Sequence, residues 1–436
     1  MNYKKTIDFM FDSLPMYHRV GKAAYKADMN NTVKFMRRLG NPENRFKSIH
    51  VAGTNGKGSV SHMLASILQQ SGLKVGLYTS PHLVDFRERI RINGEMIPEK
   101  RVTEFVESHK AWIKDHKLSF FEMTVGLAFD YFAKEKVDIA VVEVGMGGRL
   151  DSTNVITPRL SIITNIGYDH TQFLGKSLGK IAGEKAGIIK EGVPVVIGES
   201  KPSTAKVFDK KAAEMNAPIV YADRHWRVVE KKSKSVYLNA NIYKDGVKVL
   251  EDLHSPLDGW YQRKNLATLM QAVEVLKENG FIITEQHIRV GIESVIIDTG
   301  LHGRWEVVAS RPTTICETAH NEDGIRCLVR KLNAMKYNKL HIVYGCVNDK
   351  DANKILDFMP REAHYYITAP SVPRAMPVAD LTAIAQSKGL EITSHESFLP
   401  AYEAAREAAD KNDLIIITGS IFLVADAMRE LNVNIG

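Results

Sequence analysis

The sequence predicts an α/β protein of two domains, each built on a mostly parallel sheet. Two features of patterning predict it. Nearly continuous Val/Ile runs, as strands covered on both faces require, alternate with longer amphipathic runs, and the same alternation restarts late in the chain. Length agrees, because 436 residues exceed what one hydrophobic core usually holds.

Taken in order, the expected strands of the first domain are SIHVAG (48–53), KVGLYT (74–79), DIAVVEVG (138–145), LSIITNIG (160–167) and VPVVIGE (193–199). Between them SVSHMLASILQQ, MTVGLAFDYFAKE and LGKIAGEKAGIIK repeat apolar residues at helical spacing. From about Arg224 to Val249 the pattern becomes polar and alternating around Asp245–Gly246, which predicts a hairpin insertion. NLATLMQAVEVLKENG then predicts a long helix stopped by Gly280. The restart follows DTGLHGRWE (298–306), with strands TTICET (313–318), LHIVYG (340–345), HYYITA (364–369) and LIIITGS (414–420). GIRCLVRKLNAMKY and YEAAREAADK are helices between them, and the domain boundary falls at 298/299.

Composition narrows the function classes. Charged residues are 25% and apolar residues 44%, an ordinary globular balance. The opening MNYKKTIDFMFDSL is broken by charge and does not read as a targeting peptide, and no run approaches a membrane span. Cys316, Cys327 and Cys346 show neither paired metal spacing nor a disulfide framework, so buried free thiols in a reducing cytoplasm are expected. The excess of 58 basic over 51 acidic residues is scattered, and its short cluster Lys231, Lys232 and Lys234 suits a solvated hairpin as well as a patch. No basic helix or aromatic stripe accompanies it, so anionic small ligands fit better than nucleic acid or membrane.

HVAGTNGKGSVSHML (50–64) is the most informative stretch. Gly53, Thr54, Asn55, Gly56, Lys57, Gly58 and Ser59 link a strand to a helix, which admits either a tight turn or a phosphate cradle. Gly58 separates Lys57 from Ser59, unlike the usual phosphate loop. The physical needs are nevertheless met: glycines let amides converge on phosphate oxygens, a helix N-terminus follows, and Lys57 can reach terminal phosphates.

GTNGKGS resembles the phosphate loop of folylpolyglutamate synthases, within the Mur-ligase-like superfamily of ATP-dependent amide-forming enzymes. The likeness continues in the family's order through TSPHLVDFRERI (79–90), FFEMTVGLAF (120–129), VVEVGMGGRLDSTN (141–154), NIGYDHTQFLG (165–175), IAGEKAGIIK (181–190), YQRKNLAT (261–268), HGRWE (302–306), AHN (319–321), YGCVNDKD (344–351) and ITGS (417–420). It implies a large P-loop, Mur-ligase-like ATP-binding domain over 1–298 and a smaller Rossmann-like ligase domain over 299–436.

The resemblance assigns roles that the residue types alone leave open. Glu143, at a strand end, would cap a turn or face a magnesium ion; His170 would be structural or a ligand; Lys185 would be a solvated lysine or a modified one. By resemblance Ser59, Ser80, Glu143 and His170 hold Mg2+, and Lys185 is carbamylated to N6-carboxylysine and joins them. Lys57, His170 and Lys185 are thereby the catalytic set. Asn265 alone reads as a helix N-cap and Arg304 as an ion-pair residue, but the resemblance puts both at ATP, with Glu317 and His320. The family usually carries aspartate where this chain has Glu317. Pro81, His82, Phe86, Arg89, Phe121 and Glu122 are expected around the folate, where aromatics stack on a flat heterocycle and arginine pairs with a carboxylate. Asp349 and Asp351 flank a loop that is either substrate-facing or merely solvated.

The implied activity is addition of L-glutamate to tetrahydrofolate or its polyglutamates, and also to dihydropteroate, with ATP and Mg2+ and room for a monovalent cation. A monomer in the cytoplasm is expected, its smaller domain closing over the nucleotide. A single-activity folylpolyglutamate synthase, a Mur-type cell-wall ligase and a non-catalytic nucleotide-binding regulator are the alternatives.

Overall fold

The computed structural model describes residues 1–16, 28–231, 237–348 and 350–433. Lys232, Lys234 and Asp349 lie outside the described residues. The chain divides into two compact units, Met1–Pro256 with Gln262–Leu301, and Leu257–Tyr261 with His302–Gly436. The chain thus changes unit after Leu301, and Leu257–Tyr261, expected in the first domain, belongs to the second unit instead. Trp260 beneath Arg330 and Asp258 paired with Lys331 anchor that short segment there. Among the described residues no helix is long and apolar enough to cross a membrane.

The first unit is organised by eight strands: β1 Lys47–Ala52, β2 Val75–Tyr78, β3 Ile90–Ile92, β4 Glu95–Met96, β5 Ile139–Glu143, β6 Leu160–Ile163, β7 Val195–Ile197 and β8 Ile219–Tyr221. They lie in the order β4-β3-β2-β5-β1-β6-β7-β8, parallel except for the β3 and β4 pairings. The parallel strands β1, β2, β5, β6 and β7 are the runs expected from the sequence, buried throughout except at Lys47. Register is tight where it matters. Val51 pairs with Glu143 and Ala52 with Ile163, so β1, β5 and β6 end on one edge. From β1 the chain winds outward to β2 and later returns to β6 on its other side. The edge after β1 is therefore a topological switch point, where open α/β sheets hold ligands.

Apolar clusters fill both faces of this sheet. One packs Phe35, Phe129, Phe132 and Met123 against β2 and β5, and the other packs Ile181, Ile189 and Phe208 against β6 and β7. The polar insertion is a separate three-stranded antiparallel sheet rather than a hairpin, formed by β9 Trp226–Glu230, β10 Leu238–Lys244 and β11 Val247–Ser255. Asp245 and Gly246 make its second turn, both at positive φ.

The second unit holds β12 Glu306–Ser310, β13 Thr313–Cys316, β14 Leu340–Tyr344, β15 His364–Ile367, β16 Glu391–Ser394 and β17 Leu414–Thr418. Their order is β12-β13-β17-β14-β15-β16, parallel apart from β12. Cys316 and Cys346 are buried as expected, whereas Cys327 is half-buried.

Candidate active site

Each expected residue of the first unit can be placed by the element that carries it. Gly53–Gly56 leaves β1 at the switch point, and Lys57, Gly58 and Ser59 open the helix Lys57–Gln70. The glycines are required by the space around them. Gly53 has φ +149°, and a Cβ there would lie 1.9 Å from Thr164 Oγ1. Gly56 has φ +85°, where a Cβ would meet Asn265 Oδ1 at 2.2 Å. The chain after β6 fixes the loop. Thr54 N donates to Asn165 O at 3.0 Å, Asn55 N to Asn165 Oδ1 at 2.9 Å, and Thr164 Oγ1 to Asn55 O at 2.6 Å.

Two ammonium groups meet at this loop. Lys57 Nζ donates to Gly53 O at 3.1 Å and Thr54 O at 3.3 Å. Lys185 Nζ donates to the same Gly53 carbonyl at 2.8 Å. Lys185 lies in the last turn of the helix Leu178–Ala186 and is only 4% exposed, so the solvated alternative is corrected. Burial, reinforced by the neighbouring Lys57 charge, lowers its pKa to about 7, against the opposing pull of Asp169 and Asp151.

Glu143 closes β5 with a carboxylate that is 4% exposed and accepts the Ser80 amide at 3.0 Å. Ser80 follows β2, and its peptide bond to Pro81 is cis. His170 has φ +48° and precedes the short helix Thr171–Leu174, with Nε2 4.0 Å from Asp169 Oδ1. Ser59 is buried and accepts Gln262 Nε2 at 3.2 Å. The hydroxyls and the carboxylate are oxygen donors and suit a hard divalent cation. Among the described residues no three or more His, Cys, Asp or Glu side chains converge as a metal cluster. An ion at these residues would therefore complete its shell with phosphate oxygens and water, as Mg2+ commonly does.

Asn265 is not an N-cap. It lies inside the helix Gln262–Glu278, buried, with Nδ2 donating to Gln262 Oε1 at 2.8 Å. Gln262 thereby joins Ser59 of the loop helix to Asn265, a role that sequence reading missed although the residue stood in the quoted YQRKNLAT. Asp151 was missed as well. Its buried carboxylate accepts Met146 N at 2.9 Å and Thr153 N at 3.0 Å, holding the glycine turn after Glu143.

The expected acceptor residues form an aromatic group. Phe86 is buried and lies 5.8 Å from Phe120 and 6.3 Å from His82, ring to ring. Buried Arg89 stacks 5.3 Å over Phe120 and donates from Nε to His82 Nδ1 at 2.7 Å, so that nitrogen carries no proton. Burial lowers the Arg89 pKa, as expected for a desolvated cation. Phe121 packs against Gly145, where a Cβ would lie 2.4 Å from its Cζ. Glu122 has a capping role besides: its carboxylate accepts Ser119 N at 2.7 Å in a capping box for the helix Phe120–Lys134.

In the second unit Glu317 follows β13 and is fully buried. It accepts Tyr261 Oη at 2.9 Å, and burial raises its pKa to about 7 despite the nearby Arg304 charge and the tyrosine hydrogen bond. The Arg304 guanidinium donates to the Thr318 hydroxyl. His320 Nδ1 lies 2.8 Å from Thr318 O, which can only accept, so that nitrogen is protonated. Arg304, Glu317 and His320 thus form one local cluster with Tyr261 and Thr318. Asp351 caps the helix Ala352–Leu356 by accepting Lys354 N.

Comparison with known proteins agrees with this layout. The Mur ligase middle domain model matches residues 51–268, and the Mur ligase glutamate ligase domain model matches residues 303–421. Folylpolyglutamate synthase of Lacticaseibacillus casei is 34% identical, covering 99% of this chain and 98% of its own. Dihydrofolate synthase/folylpolyglutamate synthase of Bacillus subtilis is 32% identical over 96% of this chain and 98% of its own. The structure of Mycobacterium tuberculosis folylpolyglutamate synthase complexed with ADP and AMPPCP superposes with a TM-score of 0.89 at 28% identity, covering 100% of both chains. That of E. coli FolC in complex with DHPP and ADP gives 0.86 at 28% identity, covering 99% of this chain and 98% of its own.

Proposed function

The chain belongs to the folylpolyglutamate synthase/dihydrofolate synthase family of the Mur ligases, and from that premise we propose that it joins L-glutamate to reduced folates and to dihydropteroate at the expense of ATP. The observation that carries this reading is the Gly53–Ser59 loop at the switch point, with Lys57 and Lys185 on one carbonyl and Glu143 on the same sheet edge.

The chemistry follows from the weakness of a carboxylate as an acylating group. It is anionic and lacks a leaving group. Transfer of the terminal phosphoryl group of ATP to a carboxylate oxygen makes an acyl phosphate and releases ADP. The glutamate amine then attacks the carbonyl carbon, loses a proton, and expels phosphate as the C–O bond breaks. Loop amides and Lys57 hold the triphosphate and offset its charge while two anions approach. Mg2+, bound by Ser59, Ser80, Glu143 and His170, would supply further charge neutralisation at the transferring phosphate. Arg304, Glu317 and His320, from the second unit, are assigned to the nucleotide.

Lys185 is proposed to act as N6-carboxylysine. An amine with a pKa near 7 has a neutral fraction at physiological pH, the form that attacks CO2, and the product replaces a cation beside Lys57 with an anion. Intact-mass measurement under 13C-labelled bicarbonate should show one added carboxylate that is absent from Lys185→Ala. An unmodified mass during turnover would remove the assignment. A monovalent cation beside the same phosphates is part of the proposal.

The acceptor is tested with dihydropteroate and tetrahydrofolate in parallel, each with ATP, Mg2+ and labelled L-glutamate. Amide product from both is expected. Product from tetrahydrofolate alone would reduce the protein to a single-activity synthase, and product from neither would overturn the acceptor class.

A further inference from the structure

His62, Ser66 and Gln70 recur every four residues along the loop helix Lys57–Gln70 and so line one of its faces. All three reach the same neighbouring segment. His62 Nδ1 lies 2.9 Å from Thr299 Oγ1. That hydroxyl gives its only proton to Val295 O, so Nδ1 supplies the proton of the histidine contact. Ser66 Oγ is 2.7 Å from both Gly291 O and Asp298 Oδ2, and Gln70 Nε2 donates to the same Asp298 oxygen at 2.8 Å. His62, Ser66 and Thr299 are buried. A buried polar stripe adds little net stability compared with a packed apolar one, because each group is first desolvated. What it fixes is position, because a shift of either segment would leave buried donors without acceptors.

The segment held in this way is the start of the linker. Asp298 and Thr299 end the helix Val295–Thr299, and the chain passes to the second unit after Leu301. Gly300 turns it at φ +64°, where a Cβ would lie 2.7 Å from Arg91 Nη2. A Cβ on Gly94 would lie 2.3 Å from Asp298 O, and Arg91 Nη1 donates to Gly94 O at 2.8 Å. The turn therefore sits between the loop helix and the β3–β4 hairpin, with little room to move independently of either.

We propose that His62, Ser66 and Gln70 are positioning residues that tie the phosphate loop to the Asp298–Gly300 turn, so that nucleotide on the loop is registered where the chain leaves the first unit. The inference rests on the nucleotide reading of Gly53–Ser59. A helix of 14 residues is a stiff element about 21 Å long, and a displacement of its loop end is carried to the stripe with little loss.

Hydrogen exchange of the full-length protein with Mg2+ and a non-hydrolysable ATP analogue tests this, followed at the amides of Thr299–Gly303. In the wild type the analogue should slow exchange there. Asp298→Ala should bind the analogue within about threefold of wild type, lose that response, and turn over about tenfold more slowly at saturating substrates. Asp298→Asn keeps an oxygen acceptor and should restore both. If Asp298→Ala does not fold, Gln70→Leu serves as the second variant, with the same loss expected. Unchanged exchange in the analogue-bound wild type would overturn the proposal alone, as would a folded Asp298→Ala or Gln70→Leu that keeps response and turnover. Failure of the wild type to bind the analogue would remove the nucleotide reading and this inference with it.

Discussion

At the scale of single residues, burial decides which charged groups have chemistry to offer. Lys185 and Glu317 both titrate near pH 7, in opposite senses and in different units. Glu317 gives the cleaner test. Its folded pKa is raised from 4.5 to about 7, so the native state holds this proton more tightly than the unfolded chain does. Its contribution is fully present below about pH 4.5 and is lost as pH rises through 7. In urea titrations the stability difference between wild type and Glu317→Gln should therefore move against the wild type from pH 5 to pH 7.5 and then level off. A pH-independent difference would contradict the burial account. The Glu317 carboxylate accepts Tyr261 Oη, a partner from the short segment that the second unit takes up.

At the scale of elements, the phosphate loop is shaped by its neighbours as much as by its own glycines. Gly56→Ala places a methyl against Asn265 and forces an L-residue to φ +85°. A cost of about 1–3 kcal/mol is expected, together with loss of nucleotide binding as the loop shifts. Calorimetric titration with an ATP analogue checks it, and wild-type affinity in a folded variant would contradict it. Strand–loop–helix order at this site was legible because β1, β5 and β6 are rich in Val, Ile and Ala and glycines follow β1 and β5 closely. The strands β3, β4, β8, β12 and β16 were not legible: β4, β8, β12 and β16 are sheet edges and β3 lies beside one, where the apolar pattern is weak. Helical spacing put Lys185 on a helix but could not say which face was buried. Asn265 was placed one turn early because its side chain suits a cap, whereas Gln262 begins the helix and tertiary contacts bury both. The capping role of Glu122 was legible as well, because Ser119-x-x-Glu122 is a capping signature.

At the scale of the whole molecule, the parallel sheets of two units each bring candidate residues to their own C-terminal strand edges, and the chain joins those units through Leu257–Tyr261 and the linker after Leu301. The first unit carries the phosphate loop, both lysines and the oxygen donors Ser59, Ser80 and Glu143, and the second carries Arg304, Glu317 and His320. Placement of the loop, Glu143 and Glu317 was legible because each lies at or just after the end of an expected strand. The return of Leu257–Tyr261 to the second unit was not, since its three anchors, Lys331, Arg330 and Glu317, lie well over fifty residues downstream. The reaction assigned to this arrangement makes one demand that no other route shares: the acceptor must lose a carboxylate oxygen to the phosphate it briefly carries. Acceptor labelled with 18O in the reacting carboxylate, turned over once with ATP and L-glutamate, should deliver one labelled oxygen to inorganic phosphate for each amide formed. Label appearing in AMP, or amide formed while phosphate stays unlabelled, would contradict the account.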